Sequence, residues 1–241
     1  MKLYYEGRYW DEKISDRDKE YLFKVKPQFY FRLFPKPIPK TTRPDQDNHI
    51  YQIYYDEYSR NALDSGFIPY DNGFTHNFEN DVILDVWRSR TWINAKYVGL
   101  LSWRFYEKTG LTSESIKLEG DVNYFAPKGY KKYHHPFSRK GFGSVNELIR
   151  IADDNNLFDF KLLNHPIDTI VWCNYWAVKP KVFDHYCTCY LSKVIEFFKD
   201  RPEYNLMEMH RGKQYPAMTF FLEGLFSIFL QHNGNYKVKI H

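Results

Sequence analysis

The stretch from Lys96 to Phe105, KYVGLLSWRF, limits the possible folds more than any other in the chain. Its middle is apolar at both alternations, so as a strand it has no face to offer water and needs cover on both sides. That is the position of a central strand in a largely parallel sheet. The segments around it repeat the theme. Ile50 to Asp56 (IYQIYYD) is rich in β-branched and aromatic residues and reads as a strand. A turn at Asp64-Ser65-Gly66 leads to the extended piece FIPYDNG. Val82, Ile83, Val86, Trp87 and Thr91 recur at helical spacing, which predicts a helix over 78–93.

Beyond Gly110 the pattern continues. Thr112 to Leu118 is expected to form a short helix and Asp121 to Phe125 a strand. Ser144 followed by Glu147 makes a capping box for a helix buried through Val145, Leu148, Ile149 and Ala152. Ile167 to Val178 reads as a strand. Pro180 opens a helix with an apolar stripe running from Phe183 to Phe198, and a last helix spans about 215–231. Strands alternating with helices predict an α/β fold with a mostly parallel sheet flanked by helices. In such sheets ligands lie beyond the carboxyl ends of the strands.

Residues 1–48 read as an N-terminal extension and residues 49–241 as one domain. Five of the 12 prolines fall between Pro27 and Pro44, which favours an extended arm over a helix. The longest apolar stretch, Met218 to Leu230, is broken by Glu223, Gly224 and Ser227 and is too short to span a bilayer. The N-terminus carries no apolar segment of leader type. Cys173, Cys187 and Cys189 form no CxxC pair and read as reduced thiols, so the expected location is the cytoplasm. A net charge of +4 is too small to signal a nucleic-acid partner on its own. Aromatic residues make up 20% of the chain, a surplus that suits ligands with stackable faces or reflects biased composition.

The sequence contains no phosphate-loop, GxGxxG, HExxH or nucleophile-elbow pattern, which disfavours the enzyme classes built on them. Five candidates for chemistry remain. Asp121 and Asn123 stand two apart in an extended segment and so share a side. There they could hold a divalent cation (Mn²⁺ or Mg²⁺) or serve only as strand-flanking turn formers. The loop from Lys128 to Gly143 gathers Lys131, Lys132 and Arg139 without an acid, beside Tyr130 and Tyr133. It suits a phosphate-bearing ligand or nucleic acid, or is simply a solvated loop. Ser102-Trp103-Arg104 closes the central strand and offers a ring face and a cation, or a packed rim. Asn174, with Trp176, places an amide inside an apolar run, where burial demands hydrogen bonds. Glu223 beside Gly224 on an apolar helix is a candidate general base, or a carboxylate bonded to nearby backbone.

The chain also resembles a family of small GT-A-like glycosyltransferases from bacterial capsule and surface-polysaccharide loci and tailed phages. The residues that carry the resemblance are Glu79 with Trp87; Tyr97, Val98, Gly99, Leu100, Trp103 and Arg104; Asn174, Lys179, Phe183 and Tyr186; and Glu223, Leu225 and Phe229. It covers about residues 50–232. Ser102 stands where the family usually has histidine, and Phe105 where it usually has arginine. The resemblance implies a GT-A-like nucleotide-binding fold and transfer of a sugar from a nucleotide-sugar donor to a saccharide or other hydroxyl acceptor. On that reading Asp121 binds a metal and acts with Glu223 in catalysis. Trp103, Arg104, Asn123, Lys131, Lys132, Arg139, Asn174 and Trp176 then contact substrate. The alternative is a non-catalytic carbohydrate- or nucleic-acid-binding protein, phage-associated in the second case.

Overall fold

The computed structural model describes residues 3–5, 8–10, 47–72, 79–128, 143–162, 171, 173–210 and 213–241. The chain divides into two compact units, Met1–Ile38 and Pro39–His241. In the first, β1 (Leu3–Tyr5) and β2 (Arg8–Trp10) form an antiparallel pair. The proline-rich stretch expected to be extended lies outside the described residues.

The second unit is built on a six-stranded sheet. Its strands are β3 (Asn48–Tyr54), β4 (Ile68–Asp71), β5 (Tyr97–Ser102), β6 (Val122–Tyr124), β7 (Trp176–Val178) and β10 (Val238–Ile240), in the spatial order β10-β6-β7-β5-β3-β4. Only β7 runs against the others: β3 is parallel to β4 and β5, β6 is parallel to β10, and β7 is antiparallel to both β5 and β6. The fold is therefore α/β with a mainly parallel sheet, as the sequence predicts. β5 sits near its middle with all six residues buried.

Side chains alternate across the sheet as the two-residue period requires. Tyr51, Ile53, Val98, Leu100, Val122, Tyr124, Trp176 and Val178 enter the larger core. Ile50, Leu101, Phe125, Tyr175 and Ala177 face a smaller one on the other side. The larger core is closed by α2 (Glu79–Ser89), α4 (Gly143–Asp154), the helical run α5 (Pro180–Tyr186)–π turn (Cys187–Leu191)–α6 (Ser192–Lys199), and α7 (Ala217–His232). The smaller core is covered by α3 (Phe105–Thr109) with Leu111, Ile116 and Leu118. The remaining helix, α1 (Glu57–Arg60), is one turn with an Asp56–Ser59 capping box. Gly99 lets β5 and β7 approach closely, since a Cβ there would lie 2.6 Å from the Trp176 carbonyl oxygen.

The structure corrects several local expectations. Residues 112–118 form no helix: Thr112 and Ser115 bond each other in a turn, which leaves Ile116 and Leu118 to cover the sheet. The Ser144–Glu147 capping box is not made. Both first-turn amides of α4, Ser144 N and Val145 N, instead donate to Glu208 Oε2 (2.9 and 3.3 Å), and Glu147 pairs with Arg150. Glu208 lies on a hairpin, β8 (Met207–His210) with β9 (Lys213–Pro216), that the periodicity does not announce. Of the strand expected over Ile167–Val178, residues 167–170 and 172 lie outside the described residues; β7 covers Trp176–Val178, and just before it Cys173 and Asn174 take left-handed backbone angles (φ 64° and 53°). Helix α2 stops at Ser89, where Arg90 turns to φ 60°. Among the described residues no helix is long and apolar enough to cross a membrane.

Candidate functional site

The carboxyl ends of β3 and β5 open on a crevice of about 160 Å³ lined by Glu79, Asn80, Ser102, Lys108, Cys173, Asn174, Tyr175, Thr219 and Glu223. Each side chain arrives for a separate local reason. Glu79 is the first residue of α2, where a carboxylate complements the helix dipole. Ser102 ends β5, and Lys108 rises from the short helix that follows. Thr219 and Glu223 stand four apart on α7 and so share a face. Cys173 and Asn174 are delivered by the left-handed turn ahead of β7, whose amino end lies at this edge because β7 runs backwards.

The turn is tied to the helix. Glu223 Oε1 accepts the Cys173 backbone N–H at 2.5 Å. Lys108 Nζ lies 3.4 Å from Cys173 Sγ and 5.2 Å from the centre of the Tyr175 ring. Ser102 Oγ and Tyr175 Oη lie 2.5 Å apart on the floor. Tyr55 Oη donates to Glu79 Oε1 at 2.8 Å. Burial, reinforced by Glu223, pushes the Cys173 thiol up to about 11, with Lys108 pulling the other way. Burial likewise pushes the Tyr175 phenol up to about 12. Both groups are thus neutral near pH 7, and Cys173 is no thiolate nucleophile there.

Two buried oxygens in the wall, Asn174 Oδ1 and Thr219 Oγ1, find no hydrogen-bond partner among the described residues. Native interiors seldom leave such groups unpaired, so each calls for a partner, such as water or a ligand in the crevice. With two carboxylates, one ammonium, two amides and three hydroxyls around a small volume, the crevice can accept and donate hydrogen bonds to a polyhydroxyl ring. It can also receive a proton.

The remaining sequence candidates fall in different places. Trp103 and Arg104 stand at the same edge but outside the lining. Trp103 meets Tyr58 edge to face (5.8 Å), and the Arg104 guanidinium is forked onto Glu107 (2.9 and 2.5 Å). Trp176 is fully buried, stacked on Phe226 at 4.6 Å, so it packs the core and offers no ring to a sugar. Lys131, Lys132 and Arg139 lie outside the described residues.

Asp121 is at the opposite edge. The register pairs Val122 with Val178 and Val178 with Val98, so Asp121 lies level with Tyr97, six residues before Trp103 and about 20 Å from it along the strands. Its carboxylate accepts the Lys237 N–H (3.2 Å) and pairs with Lys181 Nζ (3.3 Å). That backbone bond and the Lys181 charge hold it below the ordinary aspartate range, against a smaller opposing effect of burial. Asn123 is fully buried, and its Oδ1 already serves Glu119 N and His241 Nε2, both at 3.0 Å. A carboxylate neutralised by lysine beside an amide oxygen with two donors does not fit a divalent cation. Among the described residues no group of three His, Cys, Asp or Glu side chains could hold a metal.

No protein-family model matches the chain, and no curated protein does. Among solved structures it is similar to the apo form of the WbbM bifunctional glycosyltransferase, with 16% identity and a TM-score of 0.44 over 81% of this chain and 44% of that one. The chain thus spans less than half the length of that protein.

Sequence reasoning names Glu223, Asn174 and Ser102 but misses Lys108, Thr219 and Asn80. Thr219 was within reach of it, one helical turn before Glu223 on the same face. Lys108 was not, because only the fold of α3 brings it back over Tyr175.

Proposed function

We propose that the chain is a glycosyltransferase that works in the crevice at the carboxyl edge of the sheet. The observation that carries this reading is convergence. Glu79, Asn174 and Glu223, three positions of the family resemblance scattered across the sequence, line one crevice. Of the other resemblance positions, Trp103 and Arg104 stand at the same edge outside the lining, Phe183, Tyr186, Leu225 and Phe229 lie in the core, and Lys179 lies at the amino edge, its Nζ 4.1 Å from the Tyr97 ring.

On this reading the donor's sugar sits among Asn174, Thr219 and Glu223. The volume, below the roughly 300 Å³ of a typical ligand site, takes one ring and leaves the nucleotide outside, toward Trp103 and Arg104. An acceptor hydroxyl oxygen bonds to the anomeric carbon as the bond from that carbon to the diphosphate oxygen breaks. The hydroxyl proton passes to the Glu223 carboxylate, while the negative charge leaves on the nucleoside diphosphate near Lys108. No step is routed through a metal at Asp121.

The test is hydrolysis or transfer from a panel of UDP- and GDP-sugars, with and without Mn²⁺, by the protein and by Glu223→Gln. Turnover of at least one donor that Glu223→Gln abolishes supports the reading. Sugar binding without turnover of any donor would make the chain a binding protein instead.

A further inference from the structure

A cavity of about 650 Å³, larger than the crevice above, lies elsewhere in the second unit. It opens where the C-terminal end of α7, the π turn and the segment after α4 meet. His232 and Asn233 stand at the far end of α7, about 14 Å along the axis from Glu223. Its walls are rings: Phe158 lies stacked on Tyr190 (5.2 Å between centres, 26° between planes), and Phe160 lies 3.9 Å from His232. These walls are built in advance. Asn156 takes a left-handed turn (φ 51°), Leu157 N donates to Ala152 O (3.0 Å), and Leu162 N donates to the buried Asp153 carboxylate (2.8 Å). Tyr190 Oη is fixed in turn by His232 Nδ1 (2.5 Å) and by Asn233 Nδ2 (3.0 Å). The π turn that brings Cys189 and Tyr190 to the cavity interrupts an otherwise regular helical run, a distortion frequent at functional sites.

We propose that this cavity is a second saccharide-binding site, separate from the transfer crevice and independent of whether the chain transfers sugar. The half-buried rings of Phe158 and Phe160 fit the C–H faces of a pyranose, and the polar groups at the rim, Asp159, Asn233 and Lys193 among them, meet its hydroxyls. The lining holds one carboxylate, Asp159, 3.9 Å from His232, against two ammonium groups: Lys193, and Lys161, which is turned onto Asp153 O and Asn156 Oδ1. The ring walls therefore carry the choice of a saccharide, and an anionic competitor belongs in its test. The volume is about four times that of the crevice, which suits a short oligosaccharide segment.

The experiment is saturation-transfer difference NMR on the full chain. The probes are the methyl glycosides of glucose, galactose, mannose, rhamnose and N-acetylglucosamine, maltotriose and chitotriose as oligosaccharides, and UMP as the anionic competitor. Variants are Phe160→Ala, Asp159→Ala, whose 85%-exposed side chain is no part of the core, and Glu223→Gln as the crevice control. Circular dichroism confirms the fold of each. We expect saturation of ring protons on one face of at least one saccharide. Binding should be about tenfold weaker in Phe160→Ala and weaker in Asp159→Ala, and any part of the signal that only Glu223→Gln removes reports the crevice. Failure of every saccharide, binding that both cavity variants leave unchanged, or binding of UMP alone would overturn the proposal.

Discussion

Glu223 reaches back 50 residues to accept the backbone N–H of Cys173, and that one bond joins the α7 helix to the turn before β7. The turn is not one most residues would adopt, since Cys173 and Asn174 are both left-handed. Cysteine in that region costs about 1 kcal/mol, and asparagine less. A strained backbone persists where its surroundings over-determine it. Here the Glu223 carboxylate is one constraint, and its product is an amide aimed into the crevice.

The first prediction separates the charge of Glu223 from its hydrogen bond. Glu223→Gln keeps an acceptor for the Cys173 N–H and removes the proton acceptor. Transfer should fall by about a hundredfold or more while the melting temperature stays nearly constant. Glu223→Ala should lose both activity and several degrees. If Glu223→Gln retains full turnover, the carboxylate is only a brace.

Asn174 can be dissected in the same way. Asn174→Gly suits the left-handed angle but deletes the amide, whereas Asn174→Ala deletes the amide and meets a penalty of about 1 kcal/mol. Both should lose activity. Only the alanine variant should melt lower, by about 2–4 °C for a domain of this size. Equal melting temperatures would argue that the turn stores no strain.

Proton linkage at the crevice gives a signed prediction. The Cys173 thiol moves from 9.0 to about 11 and the Tyr175 phenol from 10.0 to about 12, so the folded chain holds both protons more tightly than the unfolded chain. Their contribution to stability is complete below about pH 9 and drains away as pH rises toward 12. Urea unfolding at pH 8, 10 and 11 should show this loss, and Cys173→Ser should remove the earlier part of it. Iodoacetamide should modify Cys173 slowly at pH 8. Glu223→Gln should quicken that reaction, because Glu223 is one of the charges raising the thiol.

Legibility followed the physics of each signal. The strand Tyr97–Ser102 and the helices Glu79–Ser89 and Ala217–His232 declare themselves, because burial on both faces or along a stripe writes a period into neighbouring residues. Glu223 and Asn174 were readable as polar groups out of place in apolar runs. The hairpin carrying Glu208 was not, since its four-residue strands are too short to show alternation. Its carboxylate displaces the cap that Ser144 and Glu147 spell out locally, a tertiary contact overriding a sequence signature. The aromatic cavity was hidden for a related reason: Phe158, Tyr190 and His232 come from three segments with no common period.

Capping by Glu208 should be visible in stability. The residue is 5% exposed and serves two amides of the first turn of α4. Glu208→Ala leaves those amides without their acceptor and removes a charge that complements the helix dipole, at a cost of about 1–2 kcal/mol. Thermal unfolding should drop by about 2–8 °C, with Glu208→Gln in between. Glu147→Ala, by contrast, should change little, because Glu147 only pairs with Arg150 at the surface. A larger loss from Glu147→Ala than from Glu208→Ala would restore the local capping box.

Asp121 supplies the sharpest test of where the chemistry lies. Its carboxylate faces Lys181 and the Lys237 N–H at the amino edge, with the length of the sheet between it and Glu223. If transfer takes place at the carboxyl edge, Asp121→Asn should keep turnover within about twofold and leave any response to Mn²⁺ as it was. Only the partly exposed ion pair with Lys181 is lost, a change of about 1 kcal/mol or less. A metal-binding aspartate behaves otherwise: its removal abolishes cation-dependent turnover and any Mn²⁺-induced rise in melting temperature. Assaying Asp121→Asn beside Glu223→Gln on the same donor therefore decides between the two edges. Loss of activity in the first variant with retention in the second would move the reaction to the amino edge.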